Sequence, residues 1–538
     1  MKKLEIFRLY RGLRECRKLS NTGRLEGFRV NATINQQLAN GKRRIQRRID
    51  KNDLRGCSQP MMTATNIHYE IAGRTRAIDV GGIGAMHALV QRLGLAQAID
   101  QRLQVLQIHL PYHESDHVLT LAYNALCGGT CLQDLELRRQ DEVFLNALGA
   151  RRIPDPTTAG DFCRRFDAAA IQTLFEVFDE TRLQVWAQQP PEFFAEAIID
   201  MDGSIVETTG GCKQGMDIAY DGRWGYHPLI LSLANTNETL RIINRSGNRP
   251  SHEGAAAQVD QAVAVCLRGG FGRVLLRGDT DFSQTEHLDR WQADRRVQFI
   301  FGYDAKPNVI AQAEALPAQA WERLQRPPRY TVRTEPRQRP AQVKEAVVVA
   351  RQFENIHLQS EDVAEFNYRP SACQQVYRMI VVRKNLSVTK GQRWLFDDLR
   401  YFFYLTNDWV SEAAEIVFRA NDRCHQENHL AQLHNGVRAL KAPVDNLESN
   451  WAYMVMTGLA WNLKAWWALM LPVQAGRWQE RHRQEKRWVL GLEFKTFVNA
   501  FMRLPCQIVR TAGKLVYRLL SWNPYQRIFF RFLDVLRC

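Results

Sequence analysis

Between residues 80 and 190 apolar residues recur at helical spacing. The stretch Met86-His87-Ala88-Leu89-Val90-Gln91-Arg92-Leu93-Gly94-Leu95 is typical, with a glycine ending the run. From about 195 the character changes. Short apolar runs at 195–202, 228–234, 239–244, 273–278 and 297–303 predict strands, and 254–267 predicts a helix ahead of the fourth. Three strands, a helix and a further strand describe a mixed α/β sheet. Residues 305–410 interrupt this pattern. Four β-rich stretches, at 329–333, 346–350, 376–382 and 401–405, with a Pro- and Arg-rich connection at 326–340, predict an inserted β subdomain. Helices resume at about 411 and run to about 472. The most apolar region, 451–472, is interrupted by Asn462 and Lys464. It therefore predicts a buried, Trp-rich helix rather than a membrane span of ~20 clean apolar residues.

A chain of 538 residues exceeds one ordinary core, so several domains are expected. The net charge of +15 points to a polyanionic partner, and its distribution sharpens that reading. Residues 1–55 carry 16 Lys/Arg against 5 Asp/Glu, and residues 473–538 carry 13 against 4. The basic ends suit phosphate backbone, while the residues between them are mildly acidic and suit metal. The run Lys42-Arg43-Arg44-Ile45-Gln46-Arg47-Arg48 lies in a segment that reads equally as a solvated tail, a start placed too far upstream or a DNA-binding arm. The eleven cysteines are scattered, and Cys127 and Cys131 have no matching second pair. Free thiols in a reducing cytoplasm are expected rather than a disulfide framework or a zinc site. Lys2 and Lys3 lack the apolar stretch of a secretory signal.

Three acids in three local settings carry the chemistry. Residues two apart on a strand share a face. Asp200 and Asp202, which close Ala197-Ile198-Ile199-Asp200-Met201-Asp202, therefore both project toward one side of the sheet's rim, and either could approach a metal. Asp279 closes Val274-Leu275-Leu276-Arg277-Gly278-Asp279 in the same way, with Asp281 a weaker competitor. Glu427 lies in a helical segment whose apolar stripe is Leu430, Leu433, Val437 and Leu440. Counting back three from Leu430 reaches Glu427, which predicts an acid facing the sheet. A buried carboxylate needs a partner, and hard carboxylate oxygens suit magnesium. Singly, each acid is more often a turn or helix cap, and Asp-Met-Asp also occurs in sugar-nucleotide enzymes. The signal lies in the order, flanks and combination. Elsewhere, Pro154-Asp155-Pro156-Thr157-Thr158 supplies a turn and cap for a helix carrying Arg164 and Arg165 between Phe162 and Phe166. That element reads either as one that grips phosphates or as an ordinary capped helix.

Ile199-Asp200-Met201-Asp202-Gly203-Ser204, Leu276-Arg277-Gly278-Asp279-Thr280-Asp281-Phe282 and Asn421-Asp422-Arg423-Cys424-His425-Gln426-Glu427-Asn428 together resemble bacterial insertion-sequence transposases of the Asp-Asp-Glu (DDE) type. Tyr220-Asp221-Gly222-Arg223-Trp224-Gly225-Tyr226-His227-Pro228-Leu229 further resembles the insertion-sequence family numbered thirteen-eighty. The likeness covers about 80 to 520. It implies an α/β fold: an RNase H-like mixed-sheet catalytic core with a β-rich insertion, preceded by an α-helical DNA-binding region. It implies Asp202, Asp279 and Glu427 as catalytic residues holding two Mg2+ ions, with Mn2+ as a substitute. Asp202 is preferred over Asp200 because the small Gly203-Ser204 follows it, as in related enzymes. Arg423 matches the arginine of the related Tyr-Arg-Glu-Lys signature and is implied to contact phosphate. Ala420 stands at that signature's Tyr position and His434 at its Lys position.

The expected organisation is a basic extension (1–65), a helical DNA-binding region (66–190), a core in two parts (191–304 and 411–472) around a β-rich insertion (305–410), and a basic C-terminal segment (473–538). The expected function is a transposase that binds terminal inverted repeats, hydrolyses phosphodiesters at the element's ends and joins them to target DNA by cut-and-paste. Arg164, Arg165, Arg423 and His434 are the expected DNA contacts. The expected partner is double-stranded DNA, engaged by a homodimer in a bacterial cytoplasm at the nucleoid, with no membrane. The alternatives are a catalytically inactive repressor of its own element, and a glycosyltransferase using Asp-Met-Asp.

Overall fold

The computed structural model describes residues 32–50, 62, 64–71, 73, 75–109, 111–326, 343–391, 393–511 and 513–536. The chain forms two compact units, of which the larger comprises 71–470 and 488–521. Its centre is a nine-stranded sheet: β1 (Ala197–Gly203), β2 (Leu229–Leu233), β3 (Glu238–Ile243), β4 (Val274–Gly278), β5 (Val297–Tyr303), β6 (Glu322–Arg323), β7 (Glu354–Tyr368), β8 (Tyr377–Lys390) and β9 (Arg393–Thr406). The spatial order is β6-β7-β8-β9-β5-β4-β1-β2-β3. Only the middle is parallel, β1 with β4 and β4 with β5. These three strands and the adjacent antiparallel β2 carry buried apolar runs, as strands covered on both faces must.

Helices α1 (Glu114–Leu126), α2 (Ala168–Trp186), α3 (Ala255–Arg268), α4 (Ala413–Asn421), α5 (Cys424–Ala431) and α6 (Leu447–Leu469) pack around the sheet. Helix α6 is buried over almost its whole length, Trp466 and Trp467 included, and packs on α1, α2 and β3. No helix among the described residues is long and apolar enough to cross a membrane. The helical region is pinned to β3 by a buried ion network. Glu238 accepts from Arg182 Nε at 2.9 Å, Trp186 Nε1 at 2.9 Å and Trp466 Nε1 at 2.8 Å, while Arg241 donates to Asp179 at 2.7 Å. Each charge here has a partner, which buried charges require. A small sheet joins Ala77–Ile78 to the hairpin Cys506–Thr511 and Lys514–Leu519.

The insertion departs from expectation in three ways. It is not a separate subdomain. Its strands continue the central sheet, because β9 pairs antiparallel with β5 over Phe403–Thr406. One core spans both parts: Leu275 and Ile300 of the parallel centre pack with Val363, Ile380 and Val382 of the insertion and with Ile416 and Val417 of α4. The stretch 346–350 is helical, within Val343–Ala350, and β7 was not anticipated at all. The stretches 376–382 and 401–405 fall on β8 and β9, whereas 329–333 lies outside the described residues.

The smaller unit, taken by itself, contains helix Ala32–Asp50, residues 471–487 and helix Gln526–Leu536.

Candidate active site

Strands β1 and β4 lie side by side and parallel, with Asp200 directly opposite Arg277. Arg277 grips Asp200 in bidentate fashion, Nε to Oδ1 at 2.6 Å and Nη2 to Oδ2 at 2.7 Å, and donates its third nitrogen to the Arg419 carbonyl at 2.7 Å. Asp200 is 1% exposed. Both its oxygens are spent inside the sheet, which removes it as the first acid of an open site. One step further along the same face, Asp202 emerges at the rim.

Asp202 and Asp279 share one cation. Arg423 Nη1 donates to Asp202 Oδ2 at 3.0 Å, and Arg423 Nη2 lies 3.7 Å from Asp279 Oδ2. Burial pushes the Asp202 carboxyl up to about 6, with Arg423 opposing and Asp279 adding to the rise. Asp279 is also raised, first by burial, against the pull of Arg423. Burial disfavours the charge on Arg423, yet its guanidinium is held above its ordinary value by Asp202 and Asp279. One guanidinium thus leaves negative charge at the rim undercompensated, and the site favours additional positive charge. Asp279 also caps a short 3-10 turn, accepting from Asp281 N at 3.1 Å.

Glu427 does not face the sheet. Its side chain is exposed, and Gln426 takes the inward position. Gln426 donates to the Ile230 carbonyl at 3.3 Å and accepts from the Ser232 hydroxyl. The expected stripe of Leu430, Leu433, Val437 and Leu440 is buried, but it continues back through His429 and Gln426 rather than through Glu427. Neighbours of Glu427 along the chain do reach the rim. Arg423 is four residues before it, and His434, seven after it, places Nε2 2.7 Å from Ser204 Oγ, two residues past Asp202. Among the described residues, no three His, Cys, Asp or Glu side chains converge as a metal-ligand set.

The other expected contacts are placed less centrally. His434 sits in a π turn, Gln432–Gly436, and burial pushes its ring down to about 4. It is a neutral, hydrogen-bonded group rather than a cation. The helix Pro156–Cys163 is capped by Asp155, which accepts from Thr158 N at 2.9 Å. It ends before Arg164 and Arg165. Arg164 pairs with Asp161 at 2.7 Å and Asp445 at 3.0 Å, while Arg165 is exposed.

Several participants had no clear signature. Arg277, Ser204 and Gln426 are ordinary residues until the strands and helix are juxtaposed. Gly203 has a steric reason: a Cβ there would lie 2.5 Å from His227 Nε2. That ring is itself fixed, since Nδ1 donates to the Arg249 carbonyl at 2.9 Å. A cavity of about 390 Å3 opens beside the acids, walled by Asp279, Thr280, Tyr303, Tyr401, Tyr404 and Arg423.

A family profile described as transposase DDE domain group 1 matches residues 59–538. No curated protein matches the chain. Among solved structures, a piggyBac transposase synaptic complex with hairpin DNA is similar at 10% identity and a TM-score of 0.35, over 79% of this chain and 82% of that one.

Proposed function

Because the chain belongs to the group 1 DDE-domain transposases, we propose that it cuts phosphodiesters at the ends of its own insertion element and transfers them to target DNA. The observation that carries this reading is the pair of desolvated carboxylates, Asp202 and Asp279, at the ends of adjacent parallel strands, with a single guanidinium between them. Burying two like charges together is costly. A site built that way favours a cation stronger than arginine.

The residues fit magnesium. Asp202 and Asp279 present oxygens at one rim, the raised Asp202 carboxyl signals unmet demand for positive charge, and Glu427, four residues after Arg423, is exposed. Asp202, Asp279 and Glu427 would hold the ions, with carboxylate donors of the hard type that magnesium prefers. Two bound divalent ions would activate the attacking oxygen and stabilise the leaving one. The protein's own side chains do the rest. Arg423, released from the carboxylates, donates to a nonbridging phosphate oxygen. Arg277 fixes the level of Asp202 through Asp200, and the Ser204–His434 hydrogen bond ties the Glu427 helix to the strand bearing Asp202. The RNase H-like core, the two-ended homodimer and recognition of terminal inverted repeats by the helices before residue 190 belong to the same proposal.

A metal-dependent nicking assay on labelled DNA from the flanks of the gene tests it. Wild-type protein is expected to nick with Mg2+ or Mn2+ and not in EDTA. Asp202→Ala, Asp279→Ala and Glu427→Ala are expected to bind the ends without cutting. Cleavage by all three variants would sink the assignment. The exposed, unengaged Glu427 is the observation that favours the second reading, a DNA-binding repressor with a dispensable core; end binding without nicking by the wild type would select it.

A further inference from the structure

The two basic ends of the chain, about 430 residues apart in sequence, meet in the smaller unit. Helix Ala32–Asp50 is two-sided. At 100° per residue, Ile34, Leu38, Gly41 and Ile45 fall along one side and Arg43 and Arg47 along the other, with Lys42 and Arg44 on the two flanks and Arg48 exposed near the end of the apolar side. Leu38 is buried. Gly41 has no room for a side chain, since a Cβ would lie 2.9 Å from Trp522 Cδ1. The N-terminal helix is thus seated on a residue 481 positions later. Helix Gln526–Leu536 turns Ile528, Phe529 and Phe532 inward, and its Arg531 is tied to Glu485 of the 471–487 segment.

Within this unit both acids of the 471–487 segment are paired with arginines. Glu485 pairs with Arg481 at 2.9 Å as well as with Arg531, and Glu480 pairs with Arg487 at 3.1 Å. Asp50 accepts from Gln46 at 2.7 Å. What remains is cationic. Lys42, Arg43, Arg44, Arg47 and Arg48 are exposed, as are Arg477, Arg483 and Arg527 from the C-terminal segments, and none of the eight pairs with an acid among the described residues. An ordinary solvated face mixes both signs. Here exposed Asp50 and Glu480 are outnumbered by those eight exposed, unpaired cations held on folded backbone, with Arg43/Arg44 and Arg47/Arg48 about one helical turn, ~5.4 Å, apart.

We propose that this unit is a DNA-binding surface built jointly by both ends of the chain, which grips duplex phosphates without reading sequence. It rests on the transposase reading for the identity of the polyanion. It goes beyond that reading in naming a module that neither end forms alone. Arginine forks suit phosphate oxygens, and each phosphate neutralised releases counterions, which makes binding steeply salt-dependent.

The test uses the full chain and a fluorescent duplex of unrelated sequence, with affinity followed by anisotropy across a salt series. Two variants alter only exposed residues: R43Q/R44Q/R47Q/R48Q and R477Q/R483Q/R527Q. Each is expected to keep the wild-type circular dichroism and to lower the log–log salt slope by about 0.9 for each phosphate it no longer neutralises, a drop of roughly two to four. If either set keeps the wild-type slope, the joint surface is wrong, even where the wild type still cuts its own ends. If the unit binds anionic vesicles while both variant sets bind DNA like wild type, the partner is a lipid surface and the proposal falls. If wild-type protein binds no duplex at any salt, the transposase reading fails with it.

Discussion

Asp202 should betray its burial through the pH dependence of stability. The perturbation is Asp202→Asn in metal-free protein. The carboxyl ionises near 3.8 in an open chain and near 6 in the folded one, because burial outweighs Arg423. The folded state therefore binds the proton more tightly. The stability this group contributes is complete below about 3.8 and is lost as pH rises through about 6. Each tenfold difference in proton affinity is worth about 1.4 kcal/mol, so the whole effect is about 3 kcal/mol. Roughly 2 kcal/mol of it falls between about pH 4.5 and about pH 8. The side chain is only 18% exposed, so solvent screens little of this. Asparagine carries no such titration. Urea denaturation of the larger unit, followed by tryptophan fluorescence in EDTA, should show the variant gaining about 2 kcal/mol on wild type between those two pH values. Adding Mg2+ at the higher pH should reverse the order, since the ions stabilise only the protein that can hold them. A stability difference that stays flat with pH would refute the reasoning, and with it the claim that this carboxylate is held in undercompensated surroundings.

Arg277→Leu should cost about 3–5 kcal/mol at neutral pH, because it strands the buried Asp200 charge; adding Asp200→Asn should restore most of the loss, and denaturant midpoints of the single and double variants check it. Lys464 is 1% exposed, donates to the Leu490 carbonyl at 2.9 Å and is pushed down from 10.5 to about 7 by burial. Its folded form sheds the proton early, so stability is lowest below about 7 and recovers toward 10.5. Lys464→Met should therefore be most stabilising at or below neutral pH, and thermal melts across that range would show it. His434→Gln should leave the salt dependence of end binding unchanged, because the ring is already neutral, while lowering the nicking rate about tenfold or more; a reduced salt slope would return His434 to the role of phosphate-binding cation.

The strand ends were legible because their chemistry is local. Ile198-Ile199-Asp200-Met201-Asp202 and Val274-Leu275-Leu276-Arg277-Gly278-Asp279 each read as an apolar run stopped by carboxylate, and the structure sets them side by side. Which of Asp200 and Asp202 is free was not legible, since the answer is the guanidinium of Arg277, donated by a neighbouring strand. The orientation of Glu427 was misjudged by one residue. Positions three and four before Leu430 flank it on either side of the helix, each within about 60° of it, and only the contact of Gln426 with Ser232 and Ile230 decides between them. Val347-Val348-Val349 carried the β propensity of branched side chains into what is a helix, a case where local preference is overruled. Strand β7 was invisible for the opposite reason. In its first half, Glu354-Asn355-Ile356-His357-Leu358-Gln359, only two apolar residues, Ile356 and Leu358, alternate with polar ones, and both are exposed.

The pairing of β9 with β5 makes the region between the second and third acids difficult to remove. Trimming residues 304–406 to a short loop would leave Val297–Tyr303 with one bare row of amide and carbonyl groups. That strand is apolar and carries no charged residue, so its edge would invite pairing with other chains. A minimised version of this protein would therefore be expected to aggregate before its chemistry could be assayed, unless a charged or proline-bearing cap were designed onto that edge.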